Sequence, residues 1–185
     1  MDTRKEIEKE AAECRSLFEK KTLDYGTSWR IMRLPSLTDQ IFIKANRIRS
    51  IQESGENRVG DGIRGEFVAM VNYAVMALIQ DELGQGGELE LPVNDALTLY
   101  DTHLKHTLDL MLDKNHDYGE AWRQMRISSM VDLILMKLRR IKQIEDNDGH
   151  TIASEGVAGG YMDIINYSLF CLVRMTEETT KNQHR

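Results

Sequence analysis

Residues 24–51 read DYGTSWRIMRLPSLTDQIFIKANRIRSI, and residues 117–144 read DYGEAWRQMRISSMVDLILMKLRRIKQI. The two stretches lie 93 positions apart and agree without a gap at 14 of 28 positions. After a loop that is one residue longer in the second copy, the match resumes at an offset of 94, so that Gly62-Ile63 faces Gly156-Val157 and Val71-Asn72-Tyr73 faces Ile165-Asn166-Tyr167. The chain is an internal duplication. A repeated unit this short buries little apolar surface alone, and stacking two copies builds one shared core. The expected architecture is a single domain with pseudo-two-fold symmetry, the form a fused homodimer would take.

The periodicity inside and around the repeat is helical. Helices are expected over 4–22, 37–53, 62–83 and 96–115, with the same pattern running on to about 178. Asp24-Tyr25-Gly26 to Arg33 reads as a short turn or helix between the first two. Ser36-x-x-Asp39 and Ser129-x-x-Asp132 fit a capping box at the start of the second helix of each unit, and Asn94 or Asp95 fits a cap for the long helix after the linker. No segment alternates as a strand would. The expected fold class is all-α: a pseudo-two-fold antiparallel bundle of about three helices per repeat. Repeat one covers about 4–83, the linker 84–94 and repeat two 95–178, and residues 179–185 form a frayed tail.

Composition agrees. Among 185 residues there are two prolines and ten methionines, with 41% apolar and 29% charged residues. A net charge of −6 argues against general duplex DNA binding, which needs a basic excess. It leaves room for a small anion held by a local pair of cations. Cys14 and Cys171 are the only cysteines, too few for a disulfide framework, so a reducing compartment, the cytoplasm, is expected. Cys171 sits in an apolar run and reads as core. No uninterrupted apolar stretch is long enough to cross a membrane. The histidines form no zinc pattern, and no phosphate-loop, nucleophile-elbow or dinucleotide fingerprint is present.

What remains is a set of polar residues that, apart from Asp163, have polar counterparts in both copies. Repeat one has Asp24, Tyr25, Trp29, Arg30, Lys44, Arg47, Asp61 and Asn72. Repeat two has Asp117, Tyr118, Trp122, Arg123, Lys137, Arg140, Glu155, Asp163 and Asn166. Lys137 and Arg140, like Lys44 and Arg47, are three apart and share a helix face. Two cations so placed suit neighbouring phosphates, or else form a solvated face of ion pairs. Asp163 and Asn166 are also three apart, with Glu155 about two turns upstream. Their oxygens suit Mg²⁺; alternatively Glu155 complements a helix dipole and Asn166 is an interhelix hydrogen bonder. In repeat one Ala69 stands where Asp163 does, so repeat two is the better metal candidate. Tyr118 and Trp122 offer rings to a base, or else belong to the core. Asp132 reads as a cap.

At DYGxxWRxMR, then K-x-x-R, then Glu-Gly with Asp-x-x-Asn-Tyr, the chain resembles the nucleotide modification associated domain 1 family. The resemblance covers both repeats. It is closest in repeat two, at Lys114-Asn115-His116-Asp117-Tyr118-Gly119, Lys137, Arg140, Ser154-Glu155-Gly156 and Asp163-x-x-Asn166-Tyr167. It implies a nucleotide context. More distantly, the pattern is similar to the all-α nucleotide pyrophosphohydrolases of the MazG and dimeric dUTPase kind, which use Mg²⁺, although this chain lacks their EExxE.

Two functions are therefore expected, as alternatives. In the first the protein binds or hydrolyses a nucleotide with Mg²⁺. Asp117, Glu155 and Asp163 are then the candidate catalytic carboxylates, and Glu155, Asp163 and Asn166 the metal ligands. Lys137, Arg140, Tyr118, Trp122 and Arg123 bind substrate, with Asp24, Tyr25, Lys44, Arg47, Asp61 and Asn72 as repeat-one equivalents. In the second the same residues are a structural network in a non-enzymatic interaction module. Expected partners are a nucleotide and, in assembly, a second copy of the chain.

Overall fold

The computed structural model describes residues 2–55, 62–153 and 156–185. They form six α-helices and, among the described residues, no strand: α1 (Thr3–Tyr25), α2 (Leu34–Ser54), α3 (Arg64–Leu83), α4 (Val93–Tyr118), α5 (Ile127–Asp146) and α6 (Val157–Gln183). Short 3₁₀ turns, Ser28–Ile31 and Ala121–Gln124, sit between the first two helices of each repeat. None of these helices is long and apolar enough to cross a membrane.

The repeated DYG motif is a helix stop. Gly26 and Gly119 have φ of 66° and 58°, and their N–H groups bond Thr22 O and Asn115 O. A residue with a Cβ resists that backbone conformation, which is why glycine stands there in both copies. The 3₁₀ turn then returns the chain, and α2 and α5 start at once after the extended residues Arg33 and Arg126.

Here the expected capping boxes are corrected. Neither helix has a side-chain cap bond. Ser36 and Ser129 lie third inside helices that begin directly after Arg33 and Arg126; in α2 the helical φ of Pro35 suits the first turn. Asp39 and Asp132 face the other repeat instead: Lys142 holds Asp39 at 3.1 Å and Arg49 holds Asp132 at 3.5 Å. Each residue in the first pair is the repeat equivalent of one in the second. Such reciprocity follows if the repeats face each other across a two-fold axis with α2 and α5 antiparallel. These exposed pairs contribute little energy; they report the register. The expected cap of α4 is likewise replaced, since Pro92 is the residue before its first turn.

The core is one cluster spanning both repeats. Leu37, Ile41, Ala45 and Ile48 on α2 have Met130, Ile134, Leu138 and Ile141 as equivalents on α5, and all eight are buried. Helices α3 and α6 are buried over most of their circumference, as expected of innermost helices. Helices α1 and α4 flank them. Arg15 ties α1 to Asp101 of α4 at 2.7 Å. Both cysteines are buried, and burial pushes each thiol up to about 12.

A polar chain crosses the seam. The Thr38 hydroxyl of α2 donates to Glu145 of α5 at 2.7 Å and lies 2.7 Å from the Tyr161 hydroxyl of α6. Burial raises the Glu145 carboxyl above its ordinary pKa, the Thr38 bond opposes the shift, and Asp39 and Asp146 add to it. The folded state therefore binds this proton more tightly than the unfolded chain does. Its contribution to stability falls as pH rises from the ordinary carboxylate value through the raised one, and stays low above it. Glu145→Gln should remove that slope. Melting temperatures followed from about pH 4 to 8 should show the variant gaining on the parent as pH rises; parallel curves would refute the assignment.

Candidate functional site

In repeat two, α4, α5 and α6 enclose two adjoining clefts. The first, about 330 Å³, is lined by Lys114, Lys137, Arg140, Gly160, Asp163 and Asn166 among others. The second, about 280 Å³, is lined by Tyr118, Trp122, Tyr167 and Phe170, and shares Lys114, Asp163 and Asn166 with the first. A cationic half and an aromatic half thus meet at one lysine, one carboxylate and one carboxamide.

Helical spacing places the polar groups. Lys137 and Arg140 project from one face of α5. One turn of α6 separates Asp163 from Asn166, so both face the same cleft. Lys137 Nζ lies 2.9 Å from Asp163 Oδ2. Arg140 and Lys114 make no ion pair among the described residues. Three cations against one carboxylate give the cleft local positive charge inside an acidic chain. Asn166 Oδ1 is buried with no hydrogen-bond partner. Such an orphaned oxygen typically costs 1–3 kcal/mol, and a ligand donor or a cation would satisfy it.

The first turn of α6 shapes this cleft. Gly160 has no side chain, and a Cβ there would lie 2.8 Å from the Ile141 side chain. Its repeat-one equivalent is Glu66. That glutamate reaches Lys44 at 3.6 Å and Arg47 at 3.0 Å, the equivalents of Lys137 and Arg140. Repeat one therefore holds a carboxylate between the same two cations that repeat two leaves facing a cleft. The offset of 94 already pairs Glu66 with Gly160, and that charge-for-glycine exchange is the sequence signal that points to both residues. Lys114 carries no comparable signal by itself.

The aromatic half has one ring with open faces. Trp122 is buried, stacked on Phe170 at 4.5 Å, with the Arg123 guanidinium 4.4 Å from its ring centre. Its indole N–H donates to Asn115 Oδ1 at 2.9 Å. Tyr118, in contrast, is 76% exposed. Tyr167 packs edge-on against Phe170 at 6.3 Å. Burial raises the Tyr167 phenol above its ordinary value, with a further push from Asp163.

The clefts bring together Tyr118, Trp122, Lys137, Arg140, Asp163 and Asn166. They do not include Asp117, which is exposed at the end of α4 beside His116. Nor do they include Arg123, which binds Glu6 and, at 2.6 Å, Glu177. Glu155 and Asp61 lie outside the described residues. In repeat one, Asp24 and Tyr25 are exposed at the end of α1. Asn72 is tied into the scaffold: its amide donates to Cys14 O at 3.1 Å and its oxygen accepts from Tyr100 at 2.7 Å. Arg30 is also architectural, bonding Gln80 and the linker carbonyls of Gly84, Gly86 and Glu88. No cluster of three or more His, Cys, Asp or Glu side chains suited to a metal occurs among the described residues.

Comparison with known proteins adds the family. The model for nucleotide modification associated domain 1 matches residues 21–80 and again 114–175. No curated protein and no solved structure matches. The two matched regions cover more than half of the chain and coincide with the two copies of the repeat, so the chain belongs to the nucleotide modification associated domain 1 family and carries that domain twice.

Proposed function

We propose that repeat two binds a nucleotide, with phosphates on Lys137, Arg140 and Lys114 and the base against Tyr118 and Tyr167. One observation carries the reading: where repeat two has Gly160 and a cleft, repeat one has a carboxylate seated on the equivalent cation pair. Lys137 already pairs with Asp163, whereas Arg140 and Lys114 have no ion-pair partner among the described residues and line a cleft with room for an anion from outside. The N-terminus of α6 lies beside the same cleft and favours negative charge. The aromatic half accounts for a base, and the family supplies a nucleotide context.

Asp163 and Asn166 fit a magnesium ion only in part. Two oxygens one turn apart are a small share of an octahedral shell, and Lys137 already neutralises one of them. Asp163 and Asn166 would hold Mg²⁺ only together with a bound phosphate. Bound so, it would supply charge neutralisation for phosphoryl chemistry. Hydrolysis of a nucleoside triphosphate is the activity to assay.

A thermal-shift screen with ribo- and deoxynucleoside triphosphates tests the proposal. A ligand at about 100 times its Kd adds roughly 2.7 kcal/mol, a rise of about 5–10 °C for a chain of this size. Absence of any shift would refute nucleotide binding. Mg²⁺ alone should leave the melting temperature unchanged, and Mg²⁺ with nucleotide should raise it beyond nucleotide alone. A shift from the metal alone would overturn its placement on the phosphate.

A further inference from the structure

The aromatic half of the repeat-two cleft has a counterpart in repeat one. A cleft of about 510 Å³ is lined by Lys21, Tyr25, Trp29, Ala69, Asn72 and Tyr73 among others. These are the repeat equivalents of Lys114, Tyr118, Trp122, Asp163, Asn166 and Tyr167. Tyr25 is 70% exposed, matching Tyr118.

Three differences separate the two clefts. First, Ala69 replaces Asp163, which removes the carboxylate. Second, Glu66 closes the cation pair, so that Lys21 is the one positive charge among the described residues lining the cleft. Third, Trp29 is 9% exposed and its indole nitrogen is buried without a partner. Its counterpart Trp122 bonds Asn115, whereas the equivalent residue here is Thr22, and the Thr22 hydroxyl bonds Phe18 O at 2.7 Å instead. A donor left bare in this way has a ligand acceptor as its natural complement.

We infer that repeat one holds a second binding cleft for the phosphate-free aromatic part of the same ligand class, a nucleobase or nucleoside. The inference rests on the nucleotide reading of repeat two and extends it. The aromatic wall supplies stacking and apolar contact. The Glu66 carboxylate already occupies the place of the phosphates, so a phosphate added to the ligand gains nothing. Repeat two, where Arg140 and Lys114 have no ion-pair partner among the described residues, gains a charge-assisted contact for each phosphate it accommodates.

The chain has two tryptophans, one in each cleft, and they make the two sites separable. Trp122→Phe leaves Trp29 to report on repeat one, and Trp29→Phe leaves Trp122 to report on repeat two. Each variant is titrated with the four deoxynucleosides and their 5′-triphosphates while tryptophan emission is followed. In the Trp122→Phe protein a deoxynucleoside should change the emission, and its triphosphate should bind no more than about twofold better. In the Trp29→Phe protein the triphosphate should bind at least about tenfold better, the effect of one charge-assisted contact. Adding Tyr25→Ala should abolish the Trp29 response, and adding Glu66→Ala should create a triphosphate preference there.

An unresponsive Trp29 overturns the second cleft, and so does a triphosphate preference equal to that of repeat two. An unresponsive Trp122, together with no heat of triphosphate binding by calorimetry, overturns the nucleotide reading itself. If either replacement fails to fold, the two indole ¹⁵N–H resonances of the unmodified protein give the same readout, with Trp29 as the one lacking a hydrogen bond.

Discussion

Arg140→Ala should weaken binding of a nucleoside triphosphate by about ten- to a hundredfold and leave the melting temperature unchanged. Arg140 is exposed, lines the cationic cleft and makes no ion pair among the described residues. Its removal breaks nothing in the free protein, so the cost falls on the complex. A hydrogen bond to a charged group contributes about 1.5–3 kcal/mol, and each 1.4 kcal/mol is a factor of ten in affinity. A surface replacement of this kind typically changes stability by less than about 0.5 kcal/mol. Isothermal calorimetry and a melting curve on the same sample check both halves. Unchanged affinity would remove Arg140 from the phosphate site. Lys137→Ala is a less clean test, because it also strips Asp163 of its partner at 2.9 Å.

Arg64→Met should have the opposite profile: lower stability by about 3 kcal/mol and unchanged affinity. Arg64 opens α3 and reaches into the seam between α1 and α6. It binds Glu10, Glu13 at 2.5 Å, and the Thr176 hydroxyl at 3.2 Å. Glu10 is only 3% exposed. Without Arg64 its carboxylate stays buried with Thr176 as donor at 2.7 Å and no cation. Breaking a buried pair from one side leaves an uncompensated charge. At about 2–4 °C per kcal/mol for this chain length, the melting temperature should drop by roughly 6–12 °C. Glu10→Gln in the same chain should recover much of the loss, because the remaining charge goes with it. A full-strength loss in the double variant would show that the Arg64 stem, and not its charge, carries the effect.

The two residues differ in how the sequence announces them. Arg140 stood out as a candidate in the sequence, because its counterpart Arg47 recurs at the same place in the repeat. Arg64 did not, because Ala158 stands at the equivalent position and the cluster exists in one copy only. The fold was legible for a related reason. Duplication exposed the unit, and the apolar stripe from Leu37 to Ile48 repeats as Met130 to Ile141, one helix face written twice. Helix ends were less so. The serines at 36 and 129 matched a capping pattern, yet the extended backbone at Arg33 and Arg126 let the helices begin earlier.

Within the site, Lys137, Arg140, Asp163 and Asn166 could be placed on shared faces by counting along helices. Whether those faces meet depends on the distance between α5 and α6, which is set by Gly160 against Ile141. A glycine advertises no chemistry, so its part becomes visible only beside Glu66. Repetition alone does not say what a residue does: Arg123 is engaged by Glu6 and Glu177 and Asn72 by Cys14 and Tyr100, whereas the oxygen of Asn166, the equivalent of Asn72, has no partner.

The seam between α2 and α5 bears on how the molecule can be dismantled. Leu37 and Ile41 of one repeat and Met130 and Ile134 of the other are buried in one continuous cluster. Neither repeat keeps its inner face dry by itself. Cutting the chain down to repeat two alone would not yield a smaller folded protein. It would bare the stripe that the discarded half had covered, and α5, a wall of the surviving cleft, would lose its packing against α2.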